Sequence, residues 1–288
     1  MKEISSNQAD YQASSDESER SNFQARSTWE RKAVGSQRAV AAAGTREYFE
    51  QIRAYRYGYE TPFIRGFFDF AGLGGKRVLE IGVGNGIDAV EMMCNGVIYS
   101  GIDITKNHLE LTRRYVEIVE KEIVGKVEAL IEGDLLNTVV AGNYDAVYSF
   151  GVLHHIAHER NYLQRIRELL GPDGELRIAV YSKYSFFNIW MIATWIFRNH
   201  MCNPLDDWRS HVAEGSHLGD PVVIKIRSRR EVQELLEASG FEVIRYGSKG
   251  FVQRYLPGLG RLLMPDGSVL NMFAHILGWY HCFVCRRV

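Results

Sequence analysis

Four cysteines in 288 residues are too few for a disulfide-dense scaffold, and a reduced, cytoplasmic setting is the expectation. Basic charge is not in excess either. The sequence has 34 Lys and Arg against 35 Asp and Glu, a net charge of -1. An electrostatic nucleic-acid binder would carry a basic surplus, so that class is excluded. The N-terminus shows no apolar leader pattern; residues 1–27 are polar, serine-rich and charged and read as a flexible tail. The uncharged stretch Tyr184 to Phe197 is fourteen residues long, short of the roughly 20 that a membrane span needs. Cys282 and Cys285 have C-x-x-C spacing, but Tyr280 to Val284 reads as a strand. Residues three apart on a strand point to opposite faces, so no shared metal is expected. What is plentiful is apolar surface: 46% of residues are hydrophobic, enough for one large core.

Strands and helices alternate through the middle of the chain. Strands are predicted at Arg77 to Ile81, Val97 to Ile102, Val127 to Ile131, Asp145 to Phe150 and Glu175 to Val180. Helices fall at Ile87 to Cys94, Lys106 to Glu122 and Asn161 to Leu170. The second helix is expected to bury Leu111, Tyr115, Ile118 and Val119, and the third Leu163, Ile166, Leu169 and Leu170. Gly171-Pro172-Asp173-Gly174 reads as a tight turn before the fifth strand. Two further strands, Phe241 to Tyr246 and Trp279 to Val284, follow a capping box at Ser228–Glu231; the stretch between them, with Pro257, Gly258, Gly260, Pro265 and Gly267, reads mostly as loop. Upstream, Thr61-Pro62 looks like a helix start with Thr as N-cap, opening a helix that carries Phe63, Ile64, Phe67, Phe68 and Phe70. Repeated strand–helix units of this length imply an α/β fold, a parallel sheet with helices on both faces. Ligands then sit beyond the carboxyl ends of the strands. The expected divisions are a tail (1–27), a helical N-terminal cap (28–75), a ligand-binding core (76–183), an insertion (184–227) and a C-terminal completion of the sheet (228–288).

At the end of the first strand lies Glu80-Ile81-Gly82-Val83-Gly84-Asn85-Gly86. Glycines there let the backbone turn sharply and let a nucleotide-like cofactor approach, with helix N–H groups behind them. A nicotinamide site calls for G-x-G-x-x-G, but the position three after Gly84 is Ile87. Asp103 closes the second strand, where a carboxylate suits ribose hydroxyls in either cofactor class. Asp134 closes the third, and Phe150-Gly151-Val152-Leu153-His154-His155 follows the fourth.

In the order and spacing of these four motifs, the sequence resembles class I S-adenosylmethionine-dependent methyltransferases of the small-molecule group that includes ubiquinone and menaquinone biosynthesis methyltransferases. The resemblance covers about residues 76 to 182 and the closing strands. It implies a doubly wound, mostly parallel, seven-stranded Rossmann-like sheet with an antiparallel last strand, a helical cap and a lid insertion after the fifth strand. It also implies S-adenosylmethionine as cofactor. Glu80, Gly82 and Gly84 would lie along its methionine part, with the backbone of Phe150 and Gly151 near the amino group. Asp103 would take the ribose and Ile104 would lie against the adenine. Asp134 would accept from the adenine amino group beside Leu135. Tyr57 would reach the cofactor carboxylate.

The methyl group of a sulfonium is already electrophilic, so such an enzyme positions a nucleophile and takes its proton. His154 and His155 are candidate bases, with His154 favoured because neighbouring residues point apart. Tyr181, at the end of the fifth strand, is a candidate for orienting a substrate oxygen. His200, His211 and His217 lie in the insertion with Glu214 in no recognisable ligand spacing and read as a solvated lid. The aromatic stretch Tyr184 to Phe197 is read first as a lid over an apolar or aromatic small molecule, with core packing and peripheral membrane contact as alternatives. Tyr57, Tyr59 and Phe63 are expected to fold over the same opening. The favoured function is methylation of O, N or C on a lipophilic or aromatic small molecule, as in secondary metabolism, by a chain that can form a homo-oligomer. A macromolecule methyltransferase and a non-catalytic cofactor-binding sensor or assembly subunit are the alternatives.

Overall fold

The computed structural model describes residues 22–31, 33–251 and 275–288. The expected tail up to residue 21 and the expected loop around Pro257 to Gly267 lie outside them. Strands β1 (Arg77–Ile81), β2 (Ile98–Asp103), β3 (Lys126–Glu132), β4 (Tyr144–Phe150), β5 (Leu170–Tyr181), β6 (Phe241–Lys249) and β7 (Tyr280–Arg287) form one sheet in the order β3-β2-β1-β4-β5-β7-β6. The pairs from β3 through β5 are parallel, and β7 runs antiparallel to both neighbours. The strand order reverses between β1 and β4, which opens a crevice at their carboxyl ends.

Strand residues alternate between two cores because successive side chains leave a sheet on opposite faces. Val78, Ala146, Tyr148 and Ala179 face one core, packed by helix α2 (Arg46–Tyr55), α4 (Ile87–Cys94) and α5 (Lys106–Ile118). Leu79, Val147, Leu176 and Ile178 face the other, packed by α6 (Glu159–Leu169) and α9 (Arg229–Ala238). Cys282 lies in the first core and Cys285 in the second, as strand alternation requires. The expected inward face of α6 is buried. Tyr115 on α5 and Val119 just beyond it are buried as expected, but the stripe runs on through His108, Leu109 and Thr112, while Leu111 and Ile118 are only partly covered. The reason is Phe49 on α2, which stacks on Tyr115 at 4.2 Å and sets which side of α5 faces inward.

Three expectations need correction. Residues 22–27 are not tail: residues 22–31 are helical (α1), with Ala25 and Thr28 buried. Thr61 does not cap a helix. Its N–H donates to the Arg56 carbonyl at 2.7 Å, closing a single π-helical turn, Arg56–Glu60, its hydroxyl adds a second bond to the same carbonyl at 3.1 Å, and α3 (Ile64–Phe67) begins three residues later. Gly171–Gly174 does not separate α6 from its strand. Leu170 already pairs with Tyr144 and Glu175 with Ala146, so the four residues bulge out within β5. Pairing holds Leu170 in place, and Arg287 Nη1 donates to its carbonyl at 2.7 Å. The capping box at Ser228 and Glu231 forms, and α9 starts at Arg229.

After β5 come α7 (Phe186–Phe197), capped by Ser185, and α8 (Leu205–Glu214). Among the described residues no helix is long and apolar enough to cross a membrane. On β7, His281 is buried, and its Nδ1 pairs with the Tyr246 hydroxyl at 3.0 Å. Burial, joined by the charge of Arg229, pushes this imidazole from 6.5 down to about 4. The unfolded chain therefore binds one more proton than the folded chain between those values. Above about pH 6.5 the group leaves stability unchanged; as pH falls toward 4 it removes on the order of 3 kcal/mol. Urea unfolding across this range is expected to show that loss, and His281→Gln is expected to flatten it. An unchanged slope in the variant would show that His281 does not titrate there.

Candidate active site

The crevice at the β1/β4 switch is a cavity of about 250 Å³. Its floor is the turn after β1. Gly82, Gly84 and Gly86 all have left-handed backbone (φ 81°, 58° and 79°), a conformation that costs other residues about 1–2 kcal/mol each. A Cβ on Gly82 would strike Val152 at 2.3 Å, whereas one on Gly84 would meet nothing within 4 Å. Gly84 is thus the point where the backbone opens onto the cavity. Behind it α4 presents its N-terminus.

The strand ends supply carboxylates. Glu80 is buried and accepts from the Tyr99 hydroxyl at 2.5 Å; burial and the nearby Asp88 charge push its carboxyl well above the usual range. Asp103 Oδ1 takes the Thr105 N–H at 2.9 Å and the Thr105 hydroxyl at 2.8 Å, and Oδ2 takes the Gly84 N–H at 3.1 Å. His108 Nδ1 lies 3.2 Å from both oxygens, and the Val34 N–H donates to its Nε2 at 3.3 Å, which fixes the proton on Nδ1. Burial alone would raise the Asp103 carboxyl, but His108 and the Thr105 donors outweigh it and hold it low. Asp134 accepts from the Leu136 N–H at 2.7 Å and from the Asn22 amide, so α1 lies against the end of β3.

Of the residues anticipated from sequence, Glu80, Gly82, Gly84, Asp103, Ile104, Asp134, Leu135, Phe150, Gly151, His155 and Tyr181 line this one cavity. Two do not. His154 is 1% exposed, stacks on Tyr181 at 3.8 Å and stays outside the lining; burial and the adjacent His155 push its imidazole well below its usual value. Tyr57 is also absent from the lining, because its hydroxyl is spent on Asp88 at 2.7 Å. The neighbouring Arg56 lines the cavity in its place.

Asp88 and Arg56 are the main features the sequence reading missed. Asp88, in the first turn of α4, is buried and receives Arg56 Nε at 2.9 Å, the Tyr57 hydroxyl and the Tyr148 hydroxyl at 2.8 Å, with a second bond from Arg56 Nη2. Burial pushes its carboxyl up, yet the Arg56 charge and these donors hold it below its usual value. One turn on, Glu91 pairs with Arg53 at 2.8 Å and Arg65 at 3.1 Å. The spacing of Asp88 and Glu91 on one helical face, against arginines at 53, 56 and 65, was the available signal.

On the opposite wall the Nδ1–H of His155 donates to the Val223 carbonyl at 2.6 Å, which leaves Nε2 as the basic nitrogen, 3.7 Å from Glu214. Tyr181 donates its hydroxyl to Glu214 at 2.7 Å; burial first, and that carboxylate second, keep the phenol protonated. Donor atoms of His154, His155 and Glu214 lie within 4.8 Å of one another. The other insertion histidines do not join Glu214. His211 bonds the Ser216 carbonyl at 2.6 Å and His200 stacks on Trp208 at 4.0 Å. The aromatic helix α7 does not line the cavity either; Phe187 reaches it only by stacking on Trp279, which does, at 4.0 Å. The cover is made by α1, through Asn22, Ala25 and Trp29, and by Ala213 and Glu214 at the end of α8.

Residues 49–246 match a family described as a methyltransferase domain. Over 114 residues the chain is 31% identical to the ubiquinone biosynthesis O-methyltransferase of Haemophilus ducreyi, covering 39% of this chain and 48% of that protein. The chain thus spans about half the length of that curated relative. Magnesium protoporphyrin IX methyltransferase from Synechocystis PCC 6803, solved with S-adenosylmethionine bound, superposes with a TM-score of 0.55 at 13% identity, over 93% of this chain and 97% of its own. A cyclase superposes at 0.50 and 16% identity, over 77% and 80%. At such identities the shared feature is the fold.

Removing one partner of a buried ion pair strands the other charge, at a cost of about 3–5 kcal/mol. Arg56→Met is therefore expected to lower unfolding stability by that amount, and Arg56→Met with Asp88→Asn to recover most of it. Equal losses in the single and double variants would show that Asp88 is not held by Arg56.

Proposed function

The chain belongs to the methyltransferase-domain family, whose cofactor is S-adenosylmethionine, and on that premise we propose that it methylates a small, largely apolar acceptor held under α1 and α8. The observation that carries the reading is the convergence of Gly84, Asp103, Asp134 and His155 on one cavity at the strand-order switch. The cradle fits the cofactor. Asp103 Oδ2 has capacity for a ribose hydroxyl beyond the Gly84 N–H. Ile104 and Leu135 give apolar walls for adenine, and Asp134 faces the cavity as an acceptor that Asn22 would share or yield. Glu80, Gly82, Phe150 and Gly151 border the methionine end. In place of Tyr57, Arg56 is the cavity-lining cation for the cofactor carboxylate.

When bound, S-adenosylmethionine supplies a methyl group already activated by its sulfonium. The residues of this chain then have two tasks, to align the acceptor and to receive its proton. His155 takes the second role, since its Val223 contact orients Nε2 as a base. Tyr181, protonated and anchored on Glu214, orients the acceptor. Trp29, in edge contact with His155 at 5.0 Å, closes the site against water.

Among the described residues six acidic side chains line the cavity, Glu60, Glu80, Asp88, Asp103, Asp134 and Glu214, against a single arginine, which argues against a nucleic-acid acceptor. All four cysteines are free, which suits a reduced, cytoplasmic setting.

Incubation with methyl-labelled cofactor and a panel of phenols, amines and isoprenoids tests the assignment. Label is expected in a small acceptor. His155→Ala is expected to lower kcat by about 10²–10⁴-fold, whereas His154→Ala is expected to lower stability and leave kcat within a few-fold. Tight cofactor binding without transfer to any acceptor would instead support a non-catalytic sensor or assembly subunit. Asp103→Asn is expected to weaken S-adenosylhomocysteine binding at least tenfold by calorimetry; unchanged affinity would remove Asp103 from the ribose site.

A further inference from the structure

Four of the six lining carboxylates have a place in the cofactor cradle or its support: Glu80, Asp88, Asp103 and Asp134. Glu60 and Glu214 have none. Glu60 ends the π-helical turn after α2, and Glu214 ends α8, so two separate segments each bring one carboxylate to the acceptor side. Between them runs an aromatic wall. Phe150 and Tyr280 have ring centroids 4.7 Å apart, Tyr280 and Trp279 5.2 Å, and Trp279 and Tyr181 5.4 Å. Among the described residues the one Lys or Arg on the cavity wall is Arg56, and it is tied to Asp88.

Aromatic faces attract cations, and paired carboxylates attract them further. A phenolate or carboxylate acceptor would meet two like charges here, and the one cation among the described lining residues, Arg56, is engaged by Asp88. We propose that the acceptor is an amine, cationic at rest, carried on an apolar body and recognised by Tyr181, Trp279, Tyr280 and the carboxylates of Glu60 and Glu214. This deepens the methyltransferase reading and rests on it. The ammonium gives one proton to His155 Nε2, which lies beside Glu214. The freed nitrogen lone pair then forms the N–CH₃ bond while the S–CH₃ bonding pair returns to sulfur. The products are an N-methylated ammonium, a neutral thioether and a protonated His155 that releases its proton to solvent.

The test is calorimetric and needs no turnover. Full-length chain is saturated with S-adenosylhomocysteine and titrated with benzyltrimethylammonium, and separately with neopentylbenzene, its uncharged carbon isostere. The ammonium is expected to bind roughly tenfold tighter or better. Glu214→Gln and Glu60→Gln are each expected to shrink that preference several-fold, and the two together to abolish it. Glu60 is only half-buried, so its variant remains informative should Glu214→Gln fail to fold. Equal or tighter binding of neopentylbenzene, or a preference unchanged in both variants, would overturn the proposal. So would a Glu214→Gln protein that loses affinity for S-adenosylmethionine alone, because the carboxylate would then serve the sulfonium. Failure of S-adenosylhomocysteine itself to bind would overturn the underlying methyltransferase reading; tight binding of it without any ammonium preference overturns only the amine.

Discussion

A single buried carboxylate, Asp88, ties together the three parts of the chain that make the cavity. It sits in the first turn of α4, directly behind the glycine turn, and receives donors from Arg56 and Tyr57 in the cap and from Tyr148 on β4. Taking a charge out of water is costly, and the cost is met here by four hydrogen bonds, an ion pair and the positive end of a helix dipole. The consequence is positional. The π-helical turn Arg56–Glu60 has no packing partner strong enough to define it by apolar contact alone, since only Tyr57 within it is buried. Asp88 fixes it, and with it the side chains of Arg56 and Glu60 at the cavity wall.

The cavity floor and its cover differ in how they are held. The floor is main-chain geometry: glycines with positive φ, strand ends and a helix N-terminus, all fixed by the sheet. The cover is held by polar contacts, Asn22 to Asp134, Arg26 to Glu132, the Asn107 N–H to Glu30 and the Tyr181 hydroxyl to Glu214 at 2.7 Å, and by the burial of Ala25 and Thr28 on α1. Arg26 and Glu132 are exposed, and such pairs contribute about 0–1 kcal/mol.

The sheet was legible because strand alternation and helix periodicity act over many residues and tolerate local error. Six of the seven strands fall where the pattern placed them, to within three residues at their ends, and β5 begins five residues earlier, at Leu170. The cavity-lining residues Glu80, Asp103, Asp134 and Phe150 were legible for a related reason: they sit at strand ends, and strand ends follow from the same pattern. The failures share a different cause. Thr61-Pro62 and Gly171–Gly174 have strong local signals, for a helix cap and for a tight turn, that tertiary contacts override through the Arg56 carbonyl and through pairing of Leu170 with Tyr144. The choice of His154 over His155 could not be made from alternation, because the segment is a 3-10 turn, Leu153–His155, and not an extended strand. Glu60 and Trp279 enter the cavity from distant parts of the chain with no local motif, and only the folded chain brings them together.

On the proposed function, the carboxyl ends of β1 to β4 form one cofactor cradle whose reactive end faces His155 and Tyr181. A crystal structure of the chain with S-adenosylhomocysteine tests it most directly. Ribose hydroxyls are expected within about 3 Å of Asp103, adenine between Ile104 and Leu135, and the thioether sulfur on the His155 side of Gly84. A ligand bound elsewhere, or one whose sulfur points away from His155, would contradict it.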